Sequence, residues 1–190
     1  MEPVWTLPYA EFCVAQQLQR AFPAARGYTL FAPLSRQERG VDLVLARRQG
    51  GRTRVVTIQV KSSRTYSRRT SGPRTKRPYR YFTWFNNFEY PSEADFCILV
   101  ALYPAVDTAQ RRELGSWWAP QLLLFTRAEM KRFLRSVKTV KGKRDKMFGF
   151  GFNEPTAVYQ TRGDSRRRYR DFSHGLLSHR HDLLRKRLSG

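Results

Sequence analysis

Apolar and polar residues alternate along Gly40–Ser63 in two runs that flank Gly50-Gly51, the pattern of a β-hairpin. Gly-Gly supplies the positive φ of a two-residue turn, and a tight turn there sets Asp42 directly opposite Gln59. Side chains alternate faces along a strand. Asp42, Val44 and Ala46 therefore share one face of the first run, and Val41, Leu43 and Leu45 the other. In the second run Val55, Thr57, Gln59 and Lys61 point together, with Val56, Ile58 and Val60 opposed. The register gathers Asp42, Gln59 and Lys61 in one patch, Lys61 on the diagonal from Asp42. A carboxylate, an amide oxygen and an ammonium so placed can serve hydrolysis. The competing reading is a strand face that is simply wet. Against it, Gln59 and Lys61 interrupt an apolar run, whose neighbours Ile58 and Val60 predict a buried strand where an unpaired Lys is costly.

Helical spacing predicts a helix from about Tyr9 to Phe22, ended by Pro23, with Glu11, Ala15, Leu18 and Phe22 on one stripe. Glu11 on that stripe either needs a partner or is a first-turn acid favoured by the helix dipole. Tyr28–Ala32 reads as a short strand, and a polar connection through Glu38, a reserve acid, leads to the hairpin. Tyr79–Phe85, Asp95–Tyr103 and Gln121–Phe125 are further predicted strands, Asp95–Tyr103 central because both its faces are apolar. Thr126-Arg127-Ala128-Glu129 is a capping box, and Met130, Phe133, Leu134 and Val137 give the helix behind it an apolar face. The opposite face carries Lys131, Arg132, Arg135 and Lys138, continuing into Lys141, Lys143, Arg144 and Lys146. Lys146–Phe152 alternates aromatic and small residues, read as packing aromatics. Leu176, Leu177, Leu183, Leu184 and Leu188 predict a terminal helix. The fold class is α/β, a mixed central sheet with flanking helices. One domain spans 1–190: a core at about 8–138 and a basic C-terminal extension, 139–190, packed on or beside it.

Charge changes the picture. Thirty-six Lys and Arg against fifteen Asp and Glu leave a net +21, a self-repulsion that a polyanion relieves. Nucleic acid is the expected partner and a membrane is not, because the cations are spread over loops and helices and form no amphipathic anchor. No acid occurs from Ser62 to Phe88, where Arg64, Arg68, Arg69, Arg74, Lys76, Arg77 and Arg80 are interleaved with Tyr66 and Tyr79. Gly72, Pro73 and Pro78 exclude a helix there. The stretch reads as a mobile phosphate-gripping flap leaving the strand of Lys61; a solvated charged loop is the plainer alternative. Two cysteines, Cys13 and Cys97, make no disulfide framework or zinc module and read as buried thiols of a cytoplasmic protein. No stretch is long and apolar enough to span a bilayer.

Asp42, sixteen residues, then Gln59-Val60-Lys61, behind a helix bearing Glu11, resembles the core signature of the PD-(D/E)XK nuclease superfamily in its Gln-x-Lys form, as in homing-endonuclease-like and resolvase-like members. Val41 stands where that pattern has Pro, and Gln59 where it usually has an acid. The resemblance implies a restriction-endonuclease-like fold and a Mg2+- or Mn2+-dependent endonuclease acting on duplex or branched DNA. It implies Asp42, Gln59, the Val60 carbonyl and Glu11 as metal ligands, and Lys61 as the group that orients water and stabilises the transition state. Double-strand cutting by such a chain favours a homodimer. The other reading is a nucleic-acid-binding protein, for DNA or RNA, without catalysis. Metal separates the two, since a binder needs none.

Overall fold

The computed structural model describes residues 9–33, 40–67, 77–104, 118–153, 156–164 and 169–189. In chain order these form α1 (Tyr9–Ala21), β1 (Tyr28–Phe31), β2 (Leu43–Gln49), β3 (Arg52–Ser62), β4 (Thr65–Ser67) and β5 (Tyr81–Asn86). Then come β6 (Phe96–Pro104), β7 (Trp118–Thr126), α2 (Arg127–Ser136), β8 (Met147–Phe152), β9 (Val158–Arg162) and α3 (His181–Ser189). The chain is mixed α/β: a five-stranded mixed sheet, a second sheet of four strands, and three helices among the described residues.

The β2–β3 turn is the two-residue turn expected from Gly50-Gly51, with φ of 56° and 75°, values that glycine adopts without steric cost. The ladder runs from Gln49↔Arg52 to Leu43↔Ile58 in the expected register. β3 lies at the centre of the order β1-β2-β3-β6-β7, antiparallel to β2 and parallel to β6. A parallel neighbour needs a crossover, and here the intervening chain contributes β4 and β5 to the second sheet, of order β4-β5-β8-β9.

β6 is apolar on both faces because it is covered on both. On one side Ile98 and Val100 join Ile58, Val60, Leu122 and Leu124 against Ala10, Val14 and Leu18 of α1 and Leu184 and Leu188 of α3. On the other, Cys97, Leu99 and Ala101 meet Met130 and Phe133 of α2 and Phe148, Phe150 and Phe152 of β8. α1 with α3, the central sheet, and the second sheet with α2 thus form three layers.

Several expectations change. The buried stripe of α1 is Ala10, Val14 and Leu18 with Cys13, so Glu11 and Ala15 lie beside it, half-buried, and not on it. The chain beyond Ser62 does not leave as a loop at once: Thr65–Ser67 pairs with β5. Residues beyond 138 are woven into both layers, supplying β8 and β9 to the second sheet and α3 to the helical layer. Leu176 does not join α3; it bridges to Leu123 and is buried in the inter-sheet core. Arg180 ties this segment down, donating to the Leu124 carbonyl at 2.8 Å and to Glu129 at 2.6 Å. The capping box of α2 forms in both halves, Glu129 N–H to Thr126 Oγ1 at 3.2 Å and Thr126 N–H to Glu129 Oε2 at 2.9 Å. No helix among the described residues is long and apolar enough to cross a membrane.

Leu184, fully buried on the central sheet, tests the place of the C-terminal helix. Leu184→Ala should destabilise the protein by about 2–4 kcal/mol, the cost of a cavity in a packed core. Urea unfolding reads it; a loss under about 1 kcal/mol, outside that range, would mean α3 does not close the core.

Candidate active site

The hairpin register delivers Gln59 to the face of the central sheet shared with Cys97, its partner on β6. Gln59 is only 5% exposed, and its Oε1 has no hydrogen-bond partner. An unpaired buried amide oxygen costs about 1–3 kcal/mol, so this atom is a site prepared for a ligand or a defect in the core.

Asp42 lies one residue before the first paired position of β2. Its N–H bonds the Ile58 carbonyl at 3.0 Å, and its Oδ2 accepts the Val60 N–H at 2.6 Å. The carboxylate takes the backbone donor left over where β2 begins. A strand residue presents its N–H and C=O on the same edge, so the Val60 carbonyl leaves β3 on the side of Asp42. Residues 42, 59 and 60 thus present a carboxylate, an amide oxygen and a main-chain carbonyl along one short stretch of the β2–β3 pair.

Lys61 follows, but burial along β3 ends at Val60, and Lys61 and Ser62 are exposed. The expected cost of a buried Lys does not arise, because the strand emerges into solvent one residue earlier than the apolar run implied. Lys61 shares the face of Gln59 by alternation and pairs with Leu99. Both it and Asp42 lie within electrostatic reach of Cys97. Burial pushes that thiol far above its ordinary pKa, opposed by the Lys61 ammonium and reinforced by the Asp42 carboxylate. A thiol held protonated is no nucleophile.

Glu11 stands in the first turn of α1, the helix packed on the Ile58 and Val60 face, opposite Gln59. Glu11 is thus carried by an element on the other side of the sheet from Gln59 and Lys61. Among the described residues no three His, Cys, Asp or Glu side chains cluster to hold a metal; a cation here would rely on amide and carbonyl oxygens beside the carboxylate. Glu38 lies outside the described residues, as do Arg68, Arg69, Arg74 and Lys76 of the expected flap. Arg64, Arg77 and Arg80 are exposed, and Arg80 stacks over the Tyr81 ring at 5.4 Å.

Sequence reasoning missed Asp95, which accepts from Thr57 N–H and Oγ1 at 3.1 and 3.2 Å and faces Arg127 and Arg187 at 3.8 and 3.7 Å. It clamps the start of β6 to β3, a pairing of sequence-distant strands that no local pattern announces. Compared with known proteins, the chain matches no family model, no curated protein and no solved structure.

Gln59→Met keeps the length of the side chain and removes the unpaired amide. Stability should rise by about 1 kcal/mol, the low end of the cost of an orphaned polar group, read from the urea midpoint. A fall in stability would show that the fold itself uses the amide.

Proposed function

We propose that the chain is a metal-dependent endonuclease that hydrolyses phosphodiester bonds in DNA, built on a restriction-endonuclease-like sheet of the PD-(D/E)XK kind. The observation that carries this reading is the buried, unpartnered Oε1 of Gln59, on the residue next to Val60, whose N–H holds the Asp42 carboxylate at the open end of the β2–β3 hairpin. An all-oxygen donor set suits a hard cation that keeps several waters, Mg2+ or Mn2+. Asp42, Gln59 Oε1 and the Val60 carbonyl would hold it, whereas Glu11 stands on the helix that covers the opposite face of the sheet. When bound, the cation supplies Lewis-acid charge to a phosphate oxygen.

The remaining work falls to the chain. Lys61, solvent-facing and on the Gln59 face, orients a water toward the scissile phosphorus and offsets the charge that grows on the phosphate oxygens. The Val60 N–H fixes the orientation of the Asp42 carboxylate, which limits how far that ligand can swing. The +21 excess draws the polyanion to the surface. Cutting both strands of a duplex would take two such sites, and hence a symmetric dimer.

Lys61→Ala should lower single-turnover cleavage by about a hundredfold or more, the cost of removing a donor to transition-state charge, without unfolding the protein, because the side chain is exposed. Near-normal cleavage would remove Lys61 from the mechanism. Asp42→Asn should weaken Mn2+ binding in calorimetry by at least about tenfold, the loss that even outer-shell partners cause. Gln59→Glu should keep or strengthen it. Equal Mn2+ affinity in wild type and Asp42→Asn would move the metal elsewhere.

A further inference from the structure

In β8 the run Phe148-Gly149-Phe150-Gly151-Phe152 turns its phenylalanines into the inter-sheet core and its glycines onto the outer face of the second sheet. Those glycines are spaces for rings. A Cβ at Gly149 would lie 2.4 Å from Trp84 Cδ1, and one at Gly151 2.4 Å from the Tyr79 ring. The outer face continues on β4 and β5 as a band of Tyr66, Phe82 and Trp84. Ring centroids are 5.5 Å apart for Tyr66 and Phe82, 5.1 Å for Phe82 and Trp84, and 5.7 Å for Tyr66 and Trp84. Tyr66 is 42% and Trp84 40% exposed, so the band covers the glycines yet leaves ring surface in water.

Beside it runs an open groove of about 600 Å³, with Tyr79, Phe82 and Trp84 in one part of its lining and Lys138, Lys141 and Lys143 in another. The lysines come from the turn after α2 and are exposed. The groove's lining holds five Lys and Arg against two carboxylates. One of these, Asp145, is engaged by Arg162 at 3.3 Å and caps the Met147 N–H at 3.1 Å.

We propose that this groove and the ring band beside it bind single-stranded nucleic acid, with bases stacked on Tyr66, Phe82 and Trp84 and phosphates against Lys138, Lys141 and Lys143. Partly exposed rings offer little to a duplex, whose bases are already stacked on one another. They offer a stacking platform to unpaired bases, and the neighbouring cations then meet the backbone. An acidic protein surface would use the lysines and leave the rings idle. Tyr66 follows Lys61 by five residues, at most about 18 Å of extended chain, so a strand on the band lies near the proposed phosphodiester site without depending on it.

The test is made with the full chain in EDTA, so that cleavage plays no part. Fluorescein-labelled oligo-dT, oligo-rU and a duplex of equal length are titrated by anisotropy, with circular dichroism to verify folding. Tyr66→Ala with Trp84→Ala should weaken single-strand binding by about tenfold or more, as loss of base–ring stacking does, and leave duplex binding unchanged. Lys138→Ala with Lys143→Ala should flatten the single-strand salt slope by about 0.7 per lysine. Tight binding of either single strand supports the proposal, and the tighter one names the sugar preferred. If the alanine pair does not fold, Tyr66→Leu with Trp84→Leu keeps apolar cover over Gly149 while removing the π faces, and is judged in the same way. A folded ring variant that binds single strands like wild type, or that loses single strand and duplex equally, overturns the proposal.

Discussion

A slip of one residue in the β2–β3 ladder would carry Gln59 and Lys61 to the face covered by α1 and α3, and send Ile58 and Val60 out of the helical core. Everything at the candidate site depends on that register, and the register depends on a turn of two glycines with positive φ. Strand pairing is strongly specified here because an error costs twice: polar groups would be buried unpaired and apolar ones exposed. The same ladder decides that Asp42 falls just before the start of β2, where its carboxylate meets the Val60 N–H.

The central sheet is sandwiched between unlike layers, which explains how it can hold an amide in its interior. Helices α1 and α3 pack one face with aliphatic residues, whereas the second sheet packs the other with phenylalanines. Gln59 lies on the face of the aromatic layer, two residues before β3 emerges into solvent at Lys61.

The cationic excess is distributed by use. Arg47, Arg80, Arg170 and Arg185 lie over the rings of Tyr28, Tyr81, Phe172 and Phe22, where a planar guanidinium adds packing as well as charge. Asp95, Glu129, Asp145 and Asp182 each hold an arginine. These four acids serve as clamps, and the lysines around the groove of the second sheet lie outward. Two surfaces emerge: an oxygen-lined corner on the central sheet and a ring-and-lysine groove on the second, joined by the few residues between Lys61 and Tyr66.

Local chemistry was legible in the chain by itself. The Gly-Gly turn, the register behind it, the capping box at Thr126 and Glu129, and the two-faced burial of Phe96–Pro104 all follow from residue type and spacing, because each depends on neighbours within a turn or a hairpin. The placement of Asp42, Gln59 and Lys61 on adjoining strands was legible for the same reason. What crosses between elements was not. The side of the sheet that α1 covers, and hence the position of Glu11, depends on the helix's packing against distant strands, which buries Ala10, Val14 and Leu18. The solvent exposure of Lys61 depends on where the second sheet stops covering the first. The alternation of Phe and Gly in β8 reads in sequence as packing. Only the neighbouring strand shows that its glycines are places for Tyr79 and Trp84, because a glycine's role is set by what approaches it, and that neighbour is distant in the chain.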